Sequence, residues 1–292
     1  MSLQLFFAQI LTGIATGALY FLVASGLTLV WGALGVVNLA HGSFFMIAAF
    51  SATTIVMQLG PNLGLPVALL VVPVIMVVLS AALEVSLFRR VYAGGIWGQL
   101  LLTFGLVLVI NNLIRWMFGS LPRSVAAPDL LRGFVEVGGI RIAQYQVAVI
   151  VVTAIVSCGL WYLLARSRTG RLIRAAVDDP AMLGAVGVDV KVLRTKVMAL
   201  SALLAGVAGV VAAPRGAVNA TLDVQMVVIA FAIIVIGGLG SVWGALTAAI
   251  VVGVAEAVST IFIDQGSEIV VFALMVLVLV VKPSGLRTII QH

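Results

Sequence analysis

Six polar side chains lie within or beside long apolar stretches, and they are the residues best placed to do chemistry: Asn38, His41, Glu84, Asn111, Asn112 and Glu256. A polar group in hydrocarbon is costly, so such residues usually hydrogen-bond a neighbouring helix or face a water-filled path. Both interpretations stay open for the asparagines and His41. Glu256 lies in the middle of an apolar segment and must be protonated, paired or wetted.

These residues do not form an enzyme active site or a metal site. The adjacent Asp178 and Asp179 would point about 100° apart on a helix, so they are not a carboxylate pair on one face. His41 and His292 are far apart in sequence, and the single Cys158 lies in an apolar run. We therefore expect no catalytic residue and no metal ligand in this chain.

Nucleotide-binding motifs are also missing from the sequence. Gly237, Gly238 and Gly240 do not have the spacing of a dinucleotide-binding loop, and no Walker A sequence occurs. We therefore expect the chain to bind no cofactor itself and to hydrolyse no ATP through a P-loop of its own.

The composition identifies the solvent around these residues. Of the 292 residues, 63% are hydrophobic and 9% are charged, whereas soluble domains carry about 25% charged residues. So few charges cannot cover the surface of a water-soluble protein of this length, which indicates a polytopic membrane protein. The formal net charge of +6 is expected from Lys and Arg in cytoplasmic loops and not from a nucleic-acid partner.

The apolar pattern predicts an all-α membrane helix bundle of about eight membrane segments in a single domain, residues 1–292, with some segments short or broken at glycines. Gly13, Gly17 and Gly26 in the first helix permit close helix packing. The predicted helices cover about residues 5–30, a second helix ending near 59, 65–88, 97–118, 143–165, 192–213, two segments within 224–263 that meet at the glycines 237–240, and 269–281. Residues 119–141 form a polar connection.

Basic residues indicate the orientation. If the loop after the fifth helix is cytoplasmic, most Lys and Arg residues lie inside, and the outer arginines are offset by acidic residues. This places the N-terminus outside and the C-terminus inside. The first segment has no basic region before it and is expected to remain as a membrane helix.

The most polar part of the chain is the beginning of residues 170–209, and a cytoplasmic coupling loop is expected at about 166–191. Asp179 suits an N-cap and Pro180 a first helical position, which predicts a short helix over about residues 175–184 that Gly184 and Gly187 end. Such a helix needs a partner surface. It is either a docking element for a motor subunit or a loop whose arginines meet the headgroups of membrane lipid.

One short match suggests an internal repeat. The residues VWGAL occur at 30–34 and again at 242–246. Five matched residues in so apolar a chain are a weak indication of the structural repeats that transporters use.

Four stretches of the chain resemble the ABC-transporter permeases for branched-chain amino acids. They are residues 26–50, with Asn38, Ala40, His41 and Gly42 at their centre; residues 170–211, GRLIRAAVDDPAMLGAVGVDVKVLRTKVMALSALLAGVAGVV; residues 233–257; and residues 277–286, LVLVVKPSGL. The resemblance extends over essentially the whole chain and is to the shorter of the two permease types in such systems.

The resemblance implies a multi-pass permease subunit of an ATP-driven importer in the bacterial cytoplasmic (inner) membrane. A second permease subunit would complete the pore, two ABC ATPase subunits would use ATP and Mg, and a periplasmic substrate-binding protein would deliver branched-chain or other small neutral amino acids. Urea or short amides remain an alternative cargo. A self-sufficient secondary transporter or channel, with Glu256 and Asn111 as its coupling-ion site, is the alternative from another class.

Two sets of site residues follow. The ATPase-coupling positions are expected to be Arg174, Ala176, Asp178, Asp179, Pro180, Ala181, Gly184 and Gly187. The translocation pathway is expected to include Asn38, His41, Gly42, Asn111, Gly238 and Glu256.

Overall fold

The computed structural model describes residues 3–137, 140–178, 180–185, 187–262, 268–282 and 285–286. Most of them are helical. The helices are α1 Leu3–Leu34, α2 His41–Leu59, α3 Pro61–Leu83, α4 Arg89–Val91, α5 Gly95–Phe118, α6 Gln144–Arg166, α7 Arg168–Asp178, α8 Pro180–Ala185, α9 Val190–Ala212, α10 Leu222–Gly237, α11 Val242–Ser259 and α12 Glu268–Val281, and the strands are β1 Phe134–Val137 and β2 Ile140–Ala143. A π-helical turn, Glu84–Phe88, joins α3 to α4.

The membrane-spanning character of the chain is confirmed. Seven helical segments of the described chain are long and apolar enough to cross a membrane, with α3 counted together with its continuation to Val91. The shorter apolar helices α10 and α12 bring the number of segments in these residues to nine, close to the expected eight. The orientation, with the N-terminus outside and the C-terminus inside, stays a prediction.

α1 lies at the centre of the bundle and packs against α9 and α11. Its contact with α11 is backbone against backbone, because a Cβ built on Gly13 would lie 2.5 Å from Cα of Val254 and one on Gly17 would lie 2.5 Å from the carbonyl oxygen of Ala249. The prediction that these glycines allow close helix packing is confirmed. The same close contacts explain how α1 holds α9 and α11 in place.

Two six-residue linkers return the chain into the protein interior. After α1, residues 35–40 run back so that His41, at the start of α2, contacts the Val23 carbonyl oxygen. Val23 lies eleven residues before Leu34, about 16 Å along the helix. Residues 216–221 likewise lead into α10. The first turns of α2 and α10 then meet, since a Cβ on Gly42 would collide with the carbonyl oxygen of Asp223.

The polar connection predicted at residues 119–141 contains a β-hairpin that the sequence analysis did not anticipate. β1 and β2 pair antiparallel, with Glu136 opposite Arg141, and the Arg141 Nε lies 3.6 Å from Glu136 Oε1. The alternation of apolar and polar residues around a Gly-Gly pair was the available signal.

The VWGAL match does not mark equivalent positions. Residues 30–34 are the last turn of α1, whereas residues 242–246 are the first turn of α11. The two copies lie near each other at the same end of the bundle, since a Cβ on Gly32 would be 3.1 Å from Cα of Gly240. The prediction of an internal repeat in which the two VWGAL copies are equivalent is therefore wrong.

Candidate functional site

The coupling stretch begins with α7, a helix with two different faces. Arg168, Arg171 and Arg174 are exposed along one side. Ile173 and Ala176 are buried on the other and belong to the core that includes α1 and α9. Of the two coupling positions here, Arg174 is thus on the outer face, where its guanidinium also donates to the Leu164 carbonyl, and Ala176 packs inward.

The turn between α6 and α7 is tight. The Ser167 hydroxyl accepts the N–H of Gly170 at 2.9 Å, and a Cβ on Gly170 would collide with the carbonyl oxygens of Leu163 and Leu164. Residues 168–171 are therefore helical, and Ser167 caps this helix, a cap that the sequence analysis did not identify. The sequence analysis predicted one helix over about residues 175–184, whereas the structure divides this stretch between the end of α7 and α8.

α8 is a six-residue helix with an exposed tip. Met182, Gly184 and Ala185 are exposed and Leu183 is buried. Gly187 has φ +83° and its N–H bonds to the Gly184 carbonyl at 3.2 Å, so it ends the helix as predicted. Pro180 is the first residue of α8. Asp179 lies outside the described residues, and Asp178 and Ala181 are described only through their backbone.

α9 starts almost directly after this tip. Asp189 Oδ1 accepts the N–H groups of Lys191 at 2.9 Å and Val192 at 3.2 Å, a cap that the sequence analysis missed. α7 and α8 both contact α9. The coupling stretch therefore packs directly against the start of a membrane helix.

A polar cluster joins the beginning of α9 to the end of α3. Glu84 is fully buried in the π-helical turn, and its Oε2 accepts the Tyr92 hydroxyl at 2.6 Å. The Arg194 guanidinium lies over the Tyr92 ring, and Arg89 donates to the Thr195 hydroxyl at 3.0 Å. Burial raises the pKa of the Tyr92 phenol, so its hydroxyl stays protonated and able to donate.

Four of the six predicted pathway residues come together at the junction of α2 and α10. His41 is fully buried; its Nε2 is 2.9 Å from the Val23 carbonyl oxygen and its Nδ1 3.2 Å from the Ser201 hydroxyl. Asn38 precedes it in the linker, and Gly42 follows it against α10. The Asn111 amide donates to the Ala220 carbonyl and lies 3.2 Å from Asp223 Oδ2.

Asp223 is the residue at this junction that the sequence analysis missed. It is only 1% exposed and lies in the first turn of α10. An acidic residue at the second position of an otherwise apolar helix was the available signal.

The remaining two predicted pathway residues lie elsewhere. Gly238 is at the other end of α10, packed against Gly285. Glu256, in α11, accepts the Tyr20 hydroxyl at 2.9 Å and is within electrostatic range of Arg215. Arg215, expected in an outer loop, is bonded to the Thr16 hydroxyl at 2.8 Å. Glu256 and Asn111 thus bind different partners and are not a common ion site.

No group of three or more His, Cys, Asp or Glu side chains that could hold a metal ion occurs among the residues with described positions. The polar groups at the α2–α10 junction are the amides of Asn38 and Asn111, the His41 imidazole, the Ser201 hydroxyl, the buried Asp223 carboxylate and the helix ends. Such groups bind and release a polar solute through hydrogen bonds.

The comparisons with known proteins indicate one family. Residues 9–279 match the family described as "Branched-chain amino acid transport system / permease component". The chain is 32% identical to the high-affinity branched-chain amino acid transport system permease protein BraD of Pseudomonas aeruginosa, over 95% of this chain and 94% of that protein. It is 31% identical to LivH of Escherichia coli K12, a permease protein of the same kind of system, over 96% and 95%.

A more distant likeness covers part of the chain. The fructose import permease protein FrcC of Rhizobium meliloti is 31% identical over 55% of this chain and 44% of that protein. No solved structure gives a significant match.

Proposed function

Because the chain belongs to the branched-chain amino acid transport system permease family, we propose that it forms one membrane half of an ATP-driven importer of branched-chain amino acids. The protein itself is a multi-pass inner-membrane permease and not an enzyme. In this proposal a second permease completes the pore, two ABC ATPase subunits hydrolyse ATP with Mg, and a periplasmic binding protein delivers the amino acid.

The observation that carries the proposal is the exposed surface of α7 and α8 beside the start of α9. Three arginines and the tip formed by Met182, Gly184 and Ala185 face away from the chain's own core. A six-residue helix is too short to be stable alone, so its exposed tip suits insertion into a partner's groove. The basic face of α7 would lie on acidic residues beside that groove.

The structure also provides a route from this surface to the pathway. α8 contacts α9, and α9 bears Arg194 near its start and Ser201 in its middle. Ser201 bonds His41 at the α2–α10 junction. ATP-driven closure of two motor subunits would shift α8, and α9 would transmit the shift to this junction, giving alternating access through two discrete packings.

ATP-dependent uptake tests this function. The permease is co-expressed with its candidate ATPase and second permease, reconstituted in proteoliposomes and supplied with the binding protein and radiolabelled leucine. We expect copurification of the ATPase subunits and leucine uptake that requires ATP. Uptake that persists on an ion gradient without ATP would contradict the proposal, and uptake of urea in preference to leucine would contradict the cargo.

A further inference from the structure

The two re-entrant linkers share a sequence and a local structure. Residues 35–38 are Gly-Val-Val-Asn and residues 216–219 are Gly-Ala-Val-Asn. In each, the asparagine carbonyl accepts the N–H of the first helical residue, at 3.3 Å from His41 to Asn38 and at 3.4 Å from Leu222 to Asn219. The next bonds also correspond, from Phe44 to Ala40 and from Gln225 to Thr221.

The correspondence extends to the flanking helices. Each linker follows a long helix, enters a helix that begins in the interior, and leads through a turn with a positive-φ glycine to a third helix. Equivalent positions differ by 181, as in 38 and 219, 41 and 222, and 61 and 242, where α3 and α11 begin.

The two halves are inverted with respect to each other. α1 and α9 are antiparallel, because Gly26 lies against Ser201 while Thr16, nearer the start of α1, bonds Arg215 beyond the end of α9. The contacts between the halves are also reciprocal: α1 packs on α11 as α9 packs on α3, and α2 packs on α9 as α10 packs on α1. The chain thus contains an inverted repeat of α1–α3 and α9–α11.

The repeat axis passes between Gly42 and Asp223. They are equivalent by the same offset, and they are in contact. In inverted-repeat transporters, helices that begin inside the membrane meet at such a junction and direct their N-terminal N–H groups at the charged group of the cargo. The α2–α10 junction has this geometry.

The two halves differ at the junction in how their first helical turns are satisfied. At α10, Asn219 Oδ1 accepts the Thr221 N–H at 3.0 Å and Asp223 Oδ1 accepts the Val224 N–H at 2.8 Å. Neither Ala40 before α2 nor Thr221 before α10 makes a side-chain cap bond, but Gly42 stands where α10 has the Asp223 carboxylate that accepts a first-turn N–H. The start of α2 is therefore the one that lacks an anion.

Polar side chains at the start of α2 are also unused. The amide of Asn38 and the hydroxyl of Ser43 are fully buried and have no hydrogen-bond partner within the described chain. Ser43 is the third residue of α2 and so lies in the first turn, where backbone N–H groups lack intrahelical partners. Buried polar groups without partners are costly, which indicates a ligand that pairs them in another state.

We propose that this junction binds the zwitterionic head of the amino acid cargo when the two halves separate. The carboxylate accepts hydrogen bonds from the first turn of α2, from Ser43 and from Asn38. The ammonium pairs with the carboxylate of Asp223, which the Asn111 amide orients. The inference rests on the proposed function and deepens it, because the site recognises the part that all α-amino acids share.

The repeat supplies a matched pair of variants. Asn38→Ala removes a side chain without a partner in the described chain, whereas Asn219→Ala removes the acceptor of the Thr221 N–H and hydroxyl just before α10. In the reconstituted complex, Asn38→Ala is expected to lower leucine uptake about tenfold, as for a lost hydrogen bond to a charged group, with Tm unchanged or higher. Asn219→Ala is expected to lower Tm while uptake per folded complex stays near that of wild type.

Binding is measured separately as the Tm shift of the detergent-purified complex, without the binding protein. Leucine is expected to raise Tm. Leucinamide lacks the carboxylate and 4-methyl-2-oxopentanoate lacks the ammonium, so neither compound is expected to raise Tm. Asn38→Ala and Asp223→Asn are expected to lose the leucine shift. Equal shifts with all three compounds would overturn the site.

The outcomes separate this inference from the proposed function. If the wild-type complex takes up leucine and Asn38→Ala does so equally well with the same Tm shift, the site is overturned and the importer function stands. If the wild-type complex takes up no leucine, the importer function is overturned, while a leucine shift that Asn38→Ala abolishes still supports the site.

Discussion

The guanidinium of Arg194 lies over the ring of Tyr92, with its Cζ 4.3 Å from the ring centroid. Arg194 is near the start of α9, directly after the coupling stretch, and Tyr92 follows α4 at the same end of the bundle. The Tyr92 hydroxyl in turn donates to Glu84 in the π-helical turn of α3. π-helical turns often mark functional positions in helices, and this contact links the coupling stretch to the π-helical turn that follows α3.

Arg194→Lys is expected to weaken coupling without preventing assembly. Lysine keeps the charge but loses the planar stacking on Tyr92, a contact worth about 0.5–2 kcal/mol. Cargo-stimulated ATP hydrolysis of the complex should fall several-fold, and Arg194→Lys should cause little further loss in a Tyr92→Leu background, because that background already lacks the ring. Arg90→Lys, at an exposed neighbouring arginine, is the control, and equal stimulation in the two lysine variants would refute the role.

The helices can be predicted from the sequence because every lipid-exposed span must satisfy its backbone internally and must be long and apolar. The ends are harder, because Ser167 and Asp189 are two of several polar residues that could cap in a polar stretch. The β-hairpin escapes prediction since its strands have four residues each, too few to stand out from a loop.

The site was only partly predictable. Asn38, His41 and Asn111 can be named because polar residues are rare in apolar segments, whereas Gly42 was named only from the resemblance. The same rule also selected Glu256, which pairs with Tyr20 elsewhere in the bundle. The inverted repeat escapes sequence analysis because its shared motif is only Gly-x-Val-Asn. Packing of antiparallel α1 and α9 brings the two copies together, and no local pattern reports that.

Gly184→Leu is expected to disrupt ATPase docking while leaving the permease folded. A Cβ on Gly184 meets no atom within 4 Å, and the residue has no positive φ, so a leucine fits the isolated chain. A close-fitting partner groove would exclude it, and copurified ATPase should drop about tenfold, as for a steric cost near 1.4 kcal/mol. Gly159→Leu, at an equally open position on α6, is the control. Normal ATPase recovery with Gly184→Leu would exclude the tip from the interface.

Arg215→Ala is expected to destabilise the permease strongly. Arg215 is half-buried, bonds Thr16 and lies within electrostatic range of Glu256, and losing a hydrogen bond and a charge interaction of this kind costs roughly 1–3 kcal/mol. Adding Glu256→Gln should recover part of the loss, because the remaining charge is then removed. Arg141→Ala, which breaks only the exposed contact with Glu136, should change stability by less than about 1 kcal/mol. Thermal unfolding in detergent measures all three, and no recovery in the double variant would argue against pairing.

Gly253→Val is expected to separate α1 from α11. Gly253 lies between Gly13 and Gly17, and a Cβ there would come within 2.5 Å of the Gly13 carbonyl oxygen and collide with the Gly17 backbone. Both neighbours are helix backbone and cannot move aside, so overpacking should cost about 1–3 kcal/mol or more and lower Tm. Gly105→Val, where a Cβ meets no atom within 4 Å, controls for the β-branched residue itself. Because α1 holds both halves of the inverted repeat, Gly253→Val should also reduce uptake per folded complex, and equal Tm values for the two valine variants would show that the helices are not in close contact.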